Sequence, residues 1–209
     1  MSIVKLNNRA VKDITTFGSV SSGSINFIKK LTASTSANVS FVDGSSSVVL
    51  DNTYKIYMFT FKDLHFNNDQ YQFQINASIN GGTNYNVTKT TTFFYGYNRG
   101  SDGHNFFGYD TNRDRAQNTG AQFLTFNSNV DSYSNAAGIL YLFNPSSTTF
   151  VKNFICVTHD DAQTSAEQGL SQHCHAAGYF NTTSAINAVQ FSHDGGNIDA
   201  GDICLYGIN

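Results

Sequence analysis

Along residues 70–78 (QYQFQINAS) apolar and amide side chains alternate without a break. Tyr71, Phe73, Ile75 and Ala77 fall on one side, and Gln70, Gln72, Gln74 and Asn76 on the other. A period of two predicts a strand with one face buried. The Asn80, Gly81, Gly82 run that follows offers the backbone freedom of a hairpin turn. Residues 54–63 (YKIYMFTFKD) alternate too, with bulky side chains on both faces, as in a central strand. Further strands are expected at 25–32, 38–43, 85–89, 91–97, 122–126, 137–143, 150–158, 172–180, 188–193 and 202–207, with Asp43 and Gly44 as a turn signal. Pro145 falls in the turn 144–147, where it harms no strand. No segment carries a convincing helical period, although 161–170 has room for one short helical turn. Many short strands punctuated by turns predict an all-β protein, a sandwich or a jelly roll.

Two segments depart from this pattern. Residues 1–24 end in a Ser/Gly-rich stretch and lack periodicity, which predicts an extended arm and linker ahead of a single β-sandwich domain at 25–209. Residues 98–120 (NRGSDGHNFFGYDTNRDRAQNTG) form a long Gly- and Asp-rich interruption. Long ordered loops of this kind often carry function.

Composition strengthens the β reading. Aromatic residues make up 14% of the 209 residues, with 18 Phe and 11 Tyr, and Glu167 is the one glutamate. Charged residues are only 13%, about half the usual share, so neutral polar groups cover most of the surface. The net charge of −3 makes nucleic acid a poor partner. The charge is uneven: residues 1–30 carry a net +4 and residues 31–209 a net −7. Lys5, Arg9 and Lys12 are therefore candidates to dock the arm on an acidic neighbour. Cys156, Cys174 and Cys204 are odd in number and lack Cys-x-x-Cys spacing, which argues for buried free thiols over a disulfide framework or zinc ribbon. Residues 1–15 never gather the apolar core of a secretory leader, and no apolar run reaches the ~18 residues of a membrane span.

Catalytic chemistry finds little support. Asp160 and Asp161 are adjacent, so on a strand they face opposite ways and cannot flank one glycosidic bond. No nucleophile elbow, zinc-protease helix or phosphate loop is present. His173 and His175 would share one strand face about 7 Å apart, with His159, Asp160 and Asp161 the nearest further donors, but no spacing joins them into a metal site. Asp194, Asp199 and Asp202 place oxygen ligands at short spacing without the loop of an EF-hand, and a polar hairpin explains them equally. No metal or cofactor is expected. The aromatics of the 98–120 segment suit sugar faces, and Tyr97, Arg99, Asp102, His104, Phe107 and Tyr109 are the candidate receptor contacts.

Several stretches carry a resemblance: KLNNRAVKDIT, LTASTSANVSFVDG, LDNTYKIYMFTFKDLH, NYNVTKTTTFF, LFNPSSTTFVKNF, AAGYFNTTSAINAVQF and GGNIDAGDICLYGI. They resemble structural proteins of tailed bacteriophages, especially phages of marine bacteria, over nearly the whole chain. The resemblance implies a jelly-roll-like antiparallel β-sandwich on a particle, present as an oligomer, a trimer by analogy, and brings no catalytic motif. The expected role is a non-enzymatic virion surface protein, tail- or fibre-associated, made in the bacterial cytoplasm. Its expected partners are other virion proteins and a host surface glycan, with neither nucleic acid nor membrane. A head-decoration protein is the alternative within this class. A carbohydrate-binding module or glycan hydrolase is the alternative outside it.

Overall fold

The computed structural model describes residues 24–164 and 167–209. Along them run β1 (Ile25–Thr32), β2 (Asn38–Val42), β3 (Ile56–Phe66), β4 (Phe73–Ser78), β5 (Lys89–Arg99), β6 (Asn105–Tyr109), β7 (Gln122–Phe123), β8 (Ala136–Phe143), β9 (Lys152–Thr164), β10 (Glu167–Phe180), β11 (Ala188–His193) and β12 (Ile198–Ile208). No helix occurs among the described residues. The strands build an eight-stranded sheet, β1-β12-β3-β8-β9-β10-β5-β6, and a four-stranded sheet, β2-β11-β4-β7. Every neighbouring pair is antiparallel.

The pairing is nested. β1 pairs with β12, β2 with β11, β3 with β8 and β4 with β7. β12 also bonds β3, and β11 bonds β4, so successive pairs alternate between the sheets. Two excursions interrupt this ribbon: β5 and β6 between β4 and β7, and β9 and β10 between β8 and β11. Both extend the larger sheet beyond β8.

Alternation along each strand sends one row of side chains into a core shared by the two sheets. Tyr57, Phe59, Leu140 and Leu205 from the larger sheet meet Phe41, Phe73, Ile75 and Phe191 from the smaller, all with no exposed surface. Rings interlock across the gap, mostly edge to face: Phe59 and Phe191 at 5.2 Å, Phe61 and Phe73 at 5.0 Å, Phe41 and Phe59 at 5.3 Å. That geometry suits the aromatic quadrupole and adds to the burial of large apolar area.

The strand at 70–78 is shorter than its alternation predicts. It starts at Phe73, and Tyr71 lies outside the core with 45% of its surface exposed. Two of its four amides are covered instead of solvated: Gln72 donates to the Phe126 carbonyl at 2.9 Å and Asn76 to the Thr119 carbonyl at 3.0 Å. The strand expected at 85–89 does not form, and that at 122–126 shrinks to two residues. The helical turn suggested at 161–170 is replaced by the ends of β9 and β10, whose ladder continues through Leu170 opposite Ala162 and Glu167 opposite Thr164. A ladder adds bonds to structure already formed, whereas one isolated helical turn bears the full nucleation cost. The expected loop at 98–120 is in part a hairpin, because β5 runs to Arg99 and β6 returns along it. Residues 110–120 are pinned: Arg113 pairs with Asp110 at 2.6 Å and lies 3.8 Å over the Phe126 ring.

β3 and β12 bulge together, with register breaks between Phe61 and Leu64 and on both sides of Ala200. Asp63 there adopts a φ of 51° and Gly201 a φ of 110°. The arm candidates Lys5, Arg9 and Lys12 lie outside the described residues.

Candidate functional site

The β5–β6 hairpin forms the far margin of the larger sheet and carries most of the candidate contacts. Strand alternation divides them between two faces. On the side toward the smaller sheet, Tyr97 stacks on Phe106 at 5.9 Å and lies tilted 6.1 Å from His104, and Tyr95 stacks on Phe126 at 4.0 Å. On the opposite side Phe94 lies 6.5 Å from Phe107, parallel, and 5.0 Å from Tyr109, edge-on. Phe107 is 74% exposed and bears no partner but Phe94 among the ring contacts of the described residues. Tyr97 and His104 therefore belong to one surface, Phe107 and Tyr109 to the other.

The remaining candidates shape the hairpin. Arg99 Nη1 lies 3.3 Å from Asp102 Oδ2, and the His104 amide donates to Asp102 Oδ1 at 2.9 Å. That amide bond, followed by the Arg99 charge, holds the Asp102 carboxyl below the usual range. Asp102 thus closes the turn. Tyr109 donates to Asp114 Oδ2 at 2.5 Å, which pushes its phenol up to about 12 and fixes the ring edge.

Phe94 and Phe107 border a shallow pocket with Thr92, His175 and Ala177. It opens on the outer face of the larger sheet, where small residues leave depressions between exposed apolar ones. Ile139 on β8 is 39% exposed and Ile155 on β9 48%. Three histidines share this face. His173 lies opposite His159 in register, and its Nε2 is 2.8 Å from Nε2 of His175. Desolvation first, then the neighbouring His175 and His159, lowers the His173 pKa. The shared face expected of His173 and His175 is present. No three His, Cys, Asp or Glu side chains among the described residues gather closely enough to hold a metal ion. Asp194, Asp199 and Asp202 are spread apart: Asp199 faces His65 and Thr35, and Asp202 binds Thr32 and Lys30.

Asp160 and Asp161 differ in setting, as adjacent strand residues do. Asp160 is 3% exposed under the sheet, and Asp161 accepts the Asn135 amide at 2.9 Å at its margin. The three cysteines are free, with Cys156 and Cys174 buried and Cys204 partly so. Burial pushes the Cys156 thiol far up, which leaves it inert as a nucleophile.

A second surface feature was not singled out by sequence. The β3/β12 bulge and the segment 127–135 border a polar groove with Asp63, His65, Tyr133 and Asn135 on its walls. Tyr133 is 76% exposed, and its hydroxyl donates to Asp131 Oδ2 at 2.9 Å. The Asn/Ser-rich run NSNVDSYSN was the available signal, masked by the abundance of such residues elsewhere. No family model and no curated protein matches this chain.

Proposed function

We propose that this chain is a non-enzymatic surface protein of a tailed-phage virion, tail- or fibre-associated, in which a jelly-roll β-sandwich presents the aromatic hairpin to the host. The observation that carries the reading is the nested strand order. Without the two excursions, the sheets reduce to β1-β12-β3-β8 and β2-β11-β4-β7. That is the order made by an antiparallel ribbon rolled over on itself, a form common in viral shells and lectins. The resemblance to phage structural proteins supports the same class. In this reading Phe107 supplies a stacking face for a host sugar, with Thr92 and His175 as hydrogen-bonding neighbours. Residues 1–24, with Lys5, Arg9 and Lys12, tie the protein to an acidic neighbour in the particle.

Head decoration is the second reading, favoured by the exposed Ile139 and Ile155 on the outer sheet face, which suit a protein subunit better than a sugar. Self-association as a trimer belongs to either role. A carbohydrate-binding module would use the same aromatics. A glycan hydrolase would need two carboxylates across one open cleft, and the buried Asp160 is a poor member of such a pair.

Quantitative mass spectrometry of purified virions, with antibody-labelled electron microscopy, tests the proposal. On the order of tens of copies clustered at the tail is the expected outcome. Hundreds over the head would replace attachment by decoration, and absence from the particle would overturn the virion reading.

A further inference from the structure

The outer face of the larger sheet departs from what an antiparallel sheet usually shows to water, which is a row of polar side chains. The ladder registers set its side chains in rows that run across the strands. One row passes from Phe27 on β1 through Tyr206, Met58, Tyr141 and Ile155 to Ala177 on β10. The row on one side of it holds Ile25, Ile208, Ile56 and Phe143. The row on the other side holds Cys204, Thr60, Ile139, Val157 and His175. None of these side chains bears a fixed charge. Charge enters at the rim, where Lys30, opposite Cys204, pairs with Asp202 at 3.2 Å, and Lys62 lies opposite Asp202. Phe27 is 61% exposed and Ile25 56%, so the patch ends on β1 in protruding apolar side chains.

Three rows about 6.8 Å apart, on six strands about 4.8 Å apart, cover roughly 600 Å². That is the upper end of what a monomer leaves exposed. Two such faces together bury roughly 1,200 Å², above the ~1,000 Å² that a specific interface needs and below the usual ~1,600 Å². Neutrality also selects the occupant. A charged partner finds nothing to pair with here, whereas a second copy brings no like charge against its own. The shape is self-complementary as well. At the far end of the Phe27 row, Thr92, Ile155, Ala177 and Tyr179 line a shallow, mostly apolar depression.

We propose that this face pairs two copies of the chain about a two-fold axis running along the strands, between β3 and β8. β1 of each copy then lies over β10 of the other, and Phe27 enters the depression at Ala177. Tyr206 meets Ile155 and Met58 meets Tyr141, with the sheets about 10 Å apart as in a sandwich. The contact is isologous and closes at two, whereas a three-fold ring would need two unlike patches on each chain. The β5–β6 hairpin lies beyond the overlap, so Phe107 stays open. This inference does not rest on the virion reading.

The test is sedimentation velocity of the purified full chain between about 1 and about 100 µM, the range in which an interface of this size should dissociate. The wild-type mass should rise from one chain toward two. Phe27→Asp and Ala177→Arg should each stay at the mass of one chain. An equimolar mixture of the two variants should recover the pair, because the new carboxylate faces the new guanidinium while the second contact stays native. A wild type that remains single throughout, or that reaches three chains, would overturn the proposal. So would pairing retained in either variant, or a mixture that stays single. Should a variant fail to fold, the half-buried Cys204 thiol on the same face decides. Its maleimide labelling in wild type should slow several-fold at the higher concentration, and an unchanged rate would refute the pairing.

Discussion

His193 illustrates how a single side chain couples this core to pH. It is 4% exposed, stacks on Phe66 at 4.6 Å, and its Nε2 lies 2.9 Å from Ser128 Oγ. Burial lowers its pKa to about 4, against the smaller opposing influences of the Tyr71 backbone and Asp194. Above the unfolded value near 6.5 the ring is neutral in both states, and its contribution to stability is complete. Between about 6.5 and about 4 the unfolded chain takes the proton first, so stability falls as pH falls, by up to about 3 kcal/mol. Urea unfolding at pH 7 and pH 4.5 should show this loss, and His193→Gln should flatten it; an unchanged slope in the variant would assign the acid sensitivity to other groups. The sequence placed His193 at a strand end but did not mark it as buried. Lys89 and Lys152 were less legible still. Both have no exposed surface, and their ammonium groups bond carbonyls of Gly120 at 2.6 Å and Thr182 at 2.9 Å. Those carbonyls lie about thirty residues away in sequence, beyond any local pattern. Burial brings Lys89 down to about 7.

Among the elements, the paired bulge of β3 and β12 does most to shape the surface. A Cβ on Gly201 would lie 2.4 Å from the Asp63 carbonyl oxygen, at a φ that side chains rarely adopt. Gly201→Ala should therefore destabilise the protein by about 1–3 kcal/mol, read as a Tm drop of roughly 2–4 °C per kcal/mol by calorimetry. An unchanged Tm would show that the bulge relaxes freely. Strands were legible wherever large apolar residues alternated, as in β2 and β11. β6 was hidden because its flanks are rich in Gly and Asp, which read as loop. The division of the aromatic candidates between two faces was accessible in principle: adjacent Phe106 and Phe107 must point opposite ways once they lie on a strand. What the pattern could not supply was the knowledge that this segment is a strand at all. The groove beside Tyr133 depends on two bulges and a distant loop, so no single window of sequence holds it.

At the scale of the whole molecule, the all-β class and the presence of two antiparallel sheets follow from alternation, but the choice of partners does not. Alternation fixes which way a side chain faces, and nearly every strand here has a suitable apolar row. Pairing Ile25 with Ile208 joins opposite ends of the described chain, a choice made by the sum of contacts. Deletion of residues 1–23 removes none of the described strands, so the truncated protein should fold with a Tm within a few degrees of the full chain and, under the proposed virion role, should fail to enter particles. Loss of cooperative unfolding would show that those residues support the core, and normal incorporation would remove the anchoring role proposed for them.

The position of β12 between β1 and β3 also sets the order in which the protein can be made. β12 is the last described strand to leave the ribosome, yet it fills the gap between two of the earlier ones. Until it emerges, β1 has no neighbour and β3 keeps one open edge. Most of the larger sheet can therefore be assembled during translation, but its completion waits until β12 is available. Long loops must then be closed in one late step, which makes folding slow. Through that interval the unpaired edges are templates for other nascent copies. Crowding on a polysome synthesising this chain should thus be the principal hazard to its yield, and a holdase that covers strand edges should be the principal remedy.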